Sequence, residues 1–411
     1  MNDVRFNGRM DAPRPLSPPP SPPWAVCLAG ALALAVAMGI GRFAFTPLLP
    51  LMQREGLLGE AGGAALAASN YLGYLLGALS AARLGARPRR LVLAGLVATA
   101  AVTAAAGGVE GPAAWIALRA AAGVLSAWVM VGVSTWAIGE LARRGRPELG
   151  AWVFAGVGLG IVVAGGWTWW RAAEGAATLW LELGALAAPA VVAVRWAWRP
   201  EGARAAPPPA GERERPARGH AGLVLAYGVF GFGYILPATY LPAMARALVD
   251  DPRLFGAAWP AFGAAAALST LAAAPLLRRG RLQSAWALCH ALMAFGAALP
   301  LVSRSGAAVG AAALAVGGSF MVATMAGLQL ARERAGARPA ALMARMVASF
   351  AAGQILGPLA VLAFAHATGG SGLEPALALA AVLLMASGAW LYRQPSQGVP
   401  VHELEACPAR R

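Results

Sequence analysis

Long runs of hydrophobic residues alternate along the chain with short polar segments. Each run has about 20 residues or more, which is the length that a helix needs to cross a hydrocarbon core about 30 Å thick. We predict twelve spans, at residues 24–51, 62–82, 89–108, 112–139, 150–170, 175–195, 220–245, 256–277, 281–303, 306–331, 341–366 and 373–392. The pattern therefore predicts an all-α membrane protein with twelve transmembrane helices.

One polar interruption is much longer than the others and divides the spans into two sets of six. It covers residues 196–219, is rich in Pro, Gly, Arg and Glu, and is typical of a disordered linker. Each set is expected to form one six-helix bundle, at residues 24–195 and 220–392. A proline-rich head at residues 1–23, predicted to be disordered, and a tail at residues 393–411 lie outside the bundles.

The two sets resemble each other in sequence. The stretch GIGRFAFTPLLPLM, which begins at Gly39, returns as GFGYILPATYLPAM at Gly231. Five residues agree at a constant offset of 192: Gly39 with Gly231, Gly41 with Gly233, Leu49 with Leu241, Pro50 with Pro242, and Met52 with Met244. Weaker matches at an offset of 195 pair Gly123, Gly132 and Gly158 with Gly318, Gly327 and Gly353. Parallel six-helix repeats place a substrate site near mid-membrane, between the halves.

The charges agree with this topology. Hydrophobic residues make up 59% of the chain and charged residues 12%, and all 33 basic residues are arginine. The head, the even-numbered loops and the tail hold 25 of them, whereas the odd-numbered loops hold five. By the positive-inside rule both termini are cytoplasmic. Contact with anionic lipid headgroups accounts for the net charge of +15, so no nucleic-acid partner is expected.

The sequence offers little for an enzyme or a metal protein. The three cysteines and four histidines are scattered, with no metal-ligand spacing and no disulfide framework. No P-loop and no G-x-G-x-x-G turn after a strand occurs. We therefore expect no catalytic residue, no metal and no cofactor.

Three ionisable residues lie well inside predicted spans: Arg42, Arg119 and Glu182. A charge in the hydrocarbon costs about 2.5–3.5 kcal/mol or more, so it usually faces a wet cavity or a partner. Arg42 is a candidate receptor for an anionic group of a substrate; alternatively it reaches the headgroups or pairs with Glu182. Arg119 is a second candidate receptor; alternatively it makes a structural hydrogen bond to facing carbonyls. Glu182 is the candidate coupling residue for protons.

Other polar and bend-forming residues suit a cavity that changes shape. Candidate substrate-binding residues besides the two arginines are Asn70, Tyr71, Tyr74, Tyr234, Tyr240, Gln329 and Gln354. Candidate hinge residues are Gly39, Gly41, Pro47, Pro50, Gly231, Gly233, Pro237 and Pro242. The Gly-x-x-x-Gly pairs at Gly73/Gly77, Gly156/Gly160 and Gly353/Gly357 are expected to mark close helix contacts rather than substrate contacts.

The stretch from Gly39 to Met52, the segment SNYLGYLLGAL from Ser69 and the segment GQILGP from Gly353 resemble the YbfB/YjiJ-type branch of the major facilitator superfamily. The resemblance extends from about Ala25 to Tyr392 and implies a twelve-helix transporter without naming its substrate. Arg119, with Gly123 and Ala127, is similar to the superfamily's R-x-x-x-G-x-x-x-A pattern. The acidic residue usual in the loop after the second span is missing, as is the Gly-Pro pair of the antiporter motif in the fifth.

We therefore expect a monomeric secondary transporter of the bacterial inner membrane that moves a small anionic or zwitterionic organic solute by alternating access. A proton-coupled exporter of amphipathic compounds is the alternative within the class. A membrane sensor or scaffold that does not transport is the alternative from another class.

Overall fold

The computed structural model describes residues 22–84, 88–197, 220–248, 252–275, 281–335 and 339–394. The predicted head, linker and tail lie almost entirely outside these ranges.

The first half of the chain is helical throughout its described part. Its elements are α1 (Pro23–Leu34), a π-helical segment (Ala35–Arg42), α2 (Phe45–Arg54), α3 (Glu60–Leu84), α4 (Pro88–Ala105), α5 (Pro112–Arg143), α6 (Gly150–Trp170) and α7 (Ala176–Ala197). The first three elements together fill the first predicted span.

The second half repeats this plan with long helices. They are α8 (Ala221–Leu248), α9 (Pro252–Ala272), α10 (Leu282–Val302), α11 (Gly306–Arg334), α12 (Pro339–Thr368) and α13 (Leu373–Arg393). Among the described residues, ten helical stretches are long and apolar enough to cross a membrane. Helices α3 and α9, at the second and eighth predicted spans, do not reach that criterion over their described residues.

Local sequence sets several helix ends. Pro23 and Pro112 stand in the first turns of α1 and α5, where proline loses no helical hydrogen bond. The Ser305 side chain caps α11 by accepting a hydrogen bond from the Ala308 backbone N–H at 3.2 Å. These ends leave apolar helix interiors whose backbone groups are satisfied within each helix, as a lipid environment requires.

Glycines bring the helices into backbone contact within each half. A Cβ on Gly73 would lie 2.0 Å from the Ala120 backbone oxygen in α5, and one on Gly353 would lie 2.2 Å from the Gly228 backbone oxygen in α8. The predicted close contacts at the three Gly-x-x-x-Gly pairs are therefore confirmed, since Gly156 and Gly160 approach Ala31 and Ala35 in the same way.

The Gly39–Gly160 contact gives a stability prediction. A Cβ on Gly39 would lie 2.3 Å from the Gly160 Cα, so Gly39→Ala must push the π-helical segment away from α6. We expect the variant to lose about 1–3 kcal/mol of stability, as overpacked cores do. Gly310→Ala is the matched control, because that helical glycine in α11 has open space around it. Equal thermal denaturation of the two purified variants would contradict the packing account.

The two halves meet along α3 with α12 and along α6 with α9. At the end where α5 finishes and α12 begins, further contacts close the gap between the halves. Arg332 Nη2 donates to the Gly139 backbone oxygen at 3.2 Å, and the Thr135 hydroxyl lies 3.8 Å from Met343 Sδ. One continuous buried apolar core runs through both halves.

Candidate functional site

Arg42 ends the π-helical segment and lies buried between the two halves, with 3% of its surface exposed. Its Nη2 donates a hydrogen bond of 2.6 Å to Gln354 Oε1 in α12. Its guanidinium carbon is 3.8 Å from the centroid of the Tyr74 ring in α3. Nη1 is buried and has no hydrogen-bond partner within the described ranges. Arg42 therefore bridges the halves through a neutral acceptor and keeps one unused donor.

The backbone at this point is not α-helical. Phe43 N donates to Met38 O, five residues earlier, at 3.0 Å. Further along, Pro47 has no N–H, and the Phe43 carbonyl accepts from Thr46 N at 3.2 Å. Single π-helical turns inside longer helices occur often at functional sites. Here the irregular turn carries the Arg42 side chain into the interface.

Arg119, in α5, supports that irregular turn. Its Nη1 and Nη2 donate to the backbone oxygens of Gly41 and Arg42 at 3.3 and 3.1 Å. Asn70 in turn donates to the Arg119 backbone oxygen at 3.0 Å, and the Arg119 guanidinium carbon lies 4.6 Å from the centroid of the Phe45 ring. Both terminal nitrogens of Arg119 are thus engaged by main-chain acceptors at the break in the first span.

The site has positive charge without a counter-ion in the described part of the chain. The ion pairs found there involve other arginines, and none involves Arg42 or Arg119. The two buried arginines are neighbours, since Arg119 donates to the backbone oxygen of Arg42 itself. Because charges interact strongly in a low-dielectric interior, this arrangement favours a negatively charged ligand.

Aromatic rings of the second half pack against Phe43 and Tyr74, the two first-half rings that lie against the Arg42 guanidinium. We name as the aromatic cluster Phe43, Tyr74, Tyr234, Trp259, Phe262, Phe320 and Phe350. Phe43 joins it to the first half, at centroid distances of 6.4 Å from Trp259 and 6.5 Å from Phe320. The cluster gives the site an apolar wall beside its charge.

The structure brings most of the predicted site residues together. Asn70, Tyr74 and Gln354 contact Arg119 or Arg42 directly. Tyr234 lies in the aromatic cluster. Tyr71 and Tyr240 are partly buried and pack against the same apolar core.

Two predicted residues lie elsewhere. The Gln329 amide approaches Gly150 at the start of α6, near the end of the molecule where Arg332 contacts α5. Glu182 accepts from Arg171 Nη2 at 2.5 Å and from Trp167 Nε1 at 2.8 Å, near the end of α6. The alternative in which Arg42 pairs with Glu182 is therefore not the arrangement found.

The candidate hinge glycines are packed tightly. A Cβ on Gly41 would meet Thr99 at 2.4 Å, one on Gly231 would meet the Phe350 backbone at 2.1 Å, and one on Gly233 would meet Leu384 at 2.4 Å. The prolines Pro47 and Pro50 lie within α2, and Pro237 and Pro242 lie within α8; the side chain of Pro242 falls outside the described side chains. The irregular backbone lies at the π-helical segment, just before Pro47.

Sequence reasoning missed the aromatic part of the site. Trp259, Phe262, Phe320 and Phe350 come from three helices of the second half and gave no local motif. A usable signal was their placement: single aromatic residues stand among Ala and Gly in the eighth, tenth and eleventh spans. Phe320 and Phe350, inside their spans and away from the membrane interface, are candidates for a protein-facing site, whereas Trp259 stands near the start of its span, as interface anchors do.

Comparisons with known proteins agree with this architecture. A family model described as "Uncharacterised MFS-type transporter YbfB" matches residues 34–391. Among solved structures, the human organic anion transporter MFSD10 (TETRAN) is similar with a TM-score of 0.66 and 16% sequence identity, over 91% of this chain and 100% of that chain. At this identity the likeness concerns the fold. No curated protein matches the sequence significantly.

The family match covers most of the chain, and both matches are to transporters rather than to enzymes. The helices are long and apolar, as a multi-pass membrane protein requires. This chain belongs to the major facilitator superfamily of membrane transporters, in its YbfB-type family.

Proposed function

We propose that this transporter moves a small organic anion across the bacterial inner membrane, as a monomer, and that Arg42 binds the anion. In this proposal twelve helices span the membrane, both termini are cytoplasmic, and the halves rock around the site. The observation that supports it most is the Arg42 guanidinium, 3% exposed, at the interface, with only the neutral Gln354 amide as hydrogen-bond partner in the described structure.

The energetic argument rests on the missing counter-charge. A buried arginine is costly in the membrane unless its donors are used and its charge is balanced. Gln354 accepts a hydrogen bond from Arg42 Nη2 but balances no charge, and Arg42 Nη1 has no acceptor among the described residues. A substrate carboxylate would supply both an acceptor and a negative charge, because it can accept two parallel hydrogen bonds from one guanidinium.

The position of Arg42 suits alternating access. It belongs to the first half and Gln354 to the second, so a ligand held between them contacts both bundles. The contacts of Arg332 with Gly139 and of Thr135 with Met343 close the end that we propose to be cytoplasmic. Rocking of the two halves must break these contacts to release a solute at that side.

Arg119 has a different role in this proposal. Because its Nη1 and Nη2 hold the carbonyls of Gly41 and Arg42, it positions the receptor instead of receiving the substrate. Glu182 accepts hydrogen bonds from Arg171 and Trp167, one on each carboxylate oxygen, and so we propose a structural role for it. The fold neighbour MFSD10 is titled an organic anion transporter, which agrees with the proposed substrate class but supplies no residue.

Thermal stability of the purified protein tests the proposal. A ligand that binds only the folded state raises stability, by about 2.7 kcal/mol at a hundred times its dissociation constant. We expect small carboxylates to stabilise the wild type, and sugars and lipophilic cations not to. Arg42→Ala should remove the effect, and Arg345→Ala, at an exposed arginine of α12, should keep it. Carboxylate-induced shifts that persist unchanged in Arg42→Ala would refute the proposed receptor.

A further inference from the structure

Besides the unpartnered nitrogens of Arg42 and Arg119, the site holds an unused donor on the opposite half. Trp259 Nε1, in α9, is buried and has no hydrogen-bond partner within the described ranges. Buried indole N–H groups normally find an acceptor. Arg42 and Trp259 both contact the Phe43 ring, at 5.7 Å for the guanidinium carbon and 6.4 Å for the indole centroid. Two unused donors thus flank one ring.

Four rings of the aromatic cluster stack on one another in a row. Trp259 stacks on Phe262 at 5.1 Å and 5°, and Phe262 stacks on Phe320 at 5.4 Å and 18°. Phe320 stacks on Tyr234 at 5.1 Å and 24°. Phe43 meets this row at a steep angle, 62° to Trp259 and 83° to Phe320. Trp259 and Phe262 form one end of this row and are partly exposed, so a planar ring can join the row there by stacking or edge contact.

The described charges favour a ligand that carries a negative group and no positive one. Arg119 uses both terminal nitrogens on the backbone and keeps only Nε without a partner, whereas Arg42 has an unpartnered terminal nitrogen, Nη1. The acidic side chains Glu140, Glu182 and Glu374 are each paired with arginines near helix ends. These three carboxylates are therefore not free to receive the ammonium group of an amino acid, and the positive charges of Arg42 and Arg119 disfavour one.

We propose that the substrate is an aromatic monocarboxylate, with its carboxylate on Arg42 and its ring against the row of Trp259, Phe262 and Phe320. Trp259 is then a specificity-determining residue: its ring contacts the substrate ring, and its N–H meets a polar atom of the substrate. This inference rests on the proposed function, since it assigns a substrate class to the same Arg42 site.

The test compares matched ligands on the full-length purified protein by isothermal titration. The probes are benzoate, 4-hydroxybenzoate, cyclohexanecarboxylate, acetate, benzamide and phenylalanine. We expect the two aromatic acids to bind about tenfold more tightly than cyclohexanecarboxylate, the size that aromatic contacts contribute beyond area. Acetate, neutral benzamide and zwitterionic phenylalanine should bind more weakly still.

Two variants test the role of Trp259. Trp259→Phe keeps a ring but loses the N–H, so it should weaken the binding of 4-hydroxybenzoate several-fold. Trp259→Leu loses the ring as well, so it should also remove the preference for benzoate over cyclohexanecarboxylate. Trp286→Phe is the matched control and should change neither, because Trp286 also has a buried unpaired Nε1 but packs against Tyr227 and His290. If Trp259→Phe fails to fold, the ligand series on the wild type still decides the substrate class.

The outcomes separate the two proposals. Arg42-dependent binding of acetate, cyclohexanecarboxylate and benzoate with equal affinity would overturn the aromatic substrate and leave the anion transporter standing. Tighter binding of phenylalanine than of benzoate would likewise overturn it. Absence of Arg42-dependent binding for every anion would overturn the proposed function itself.

Discussion

Replacing Gln354 with glutamate is expected to abolish binding of organic anions and to raise the thermal stability of the protein at the same time. The wild-type amide already lies 2.6 Å from Arg42 Nη2, so a carboxylate of the same shape forms an ion pair without rearrangement. It would act as a tethered competitor for the substrate. Breaking a buried ion pair costs about 3–5 kcal/mol, so we expect an affinity loss of about 100-fold or more.

A neutral substitution at the same position provides the control. Gln354→Met has a similar length but neither charge nor amide, and we expect it to keep anion affinity within a few-fold of the wild type. Titration calorimetry gives the affinity, and thermal denaturation without ligand gives the stability. If Gln354→Glu binds anions as the wild type does, Arg42 is not the group that receives them.

Replacing Arg119 with methionine is expected to have the opposite effect on stability. The side chain donates two charge-assisted hydrogen bonds to the main chain at the irregular turn, and each such bond contributes about 1.5–3 kcal/mol. We expect a loss of about 3–6 kcal/mol in stability together with weaker anion binding, because the backbone that carries Arg42 loses its support. Arg119→Lys should restore part of the stability, since an ammonium group can reach one of the two carbonyls.

The exposed arginine in α12 supplies the comparison. Arg345→Met removes the same charge from a position outside the core, and we expect a change of stability within about 0.5 kcal/mol, as for other surface substitutions. Thermal denaturation of the three variants side by side measures the difference. An Arg119→Met protein that is as stable as the wild type and has lost only anion binding would make Arg119 a second receptor instead of a support.

Hydropathy and charge predicted the helices well because lipid imposes one requirement on every span. A stretch of about 20 apolar residues has to be helical to satisfy its own backbone, whatever its neighbours are. The Gly-x-x-x-Gly contacts were predictable for a similar reason, since a residue without a Cβ every four positions leaves a groove on one helix face. The structure places Gly73, Gly160 and Gly353 in such contacts.

Features that depend on distant partners were not readable from the sequence. The Arg42–Gln354 hydrogen bond joins residues 312 positions apart, and the π-helical segment packs against α6.

One of the glycine matches at an offset of 195 does not correspond to equivalent packing in the two halves. Gly158 faces α9 near Ala267, whereas Gly353 faces α8 near Gly228, so these two positions are not equivalent in packing.

Depth within a span explains the two predicted residues that lie outside the site. Gln329 lies in the 29-residue helix α11, five residues before its last residue. Glu182 lies close enough to the end of its span to form an ion pair with Arg171, which follows α6. Polar side chains near span ends find water, headgroups or loop residues. Arg42, Asn70, Tyr74 and Gln354 are further from the ends and found one another.

Uptake into proteoliposomes tests the central claim most directly. The purified wild type, Arg42→Ala and Arg345→Ala would be reconstituted in parallel, loaded with unlabelled benzoate, and given labelled benzoate outside. We predict that the wild type and Arg345→Ala exchange the label and that Arg42→Ala does not, while all three proteins show the same helical content. Exchange by Arg42→Ala at the wild-type rate would show that this buried arginine does not carry the substrate's charge.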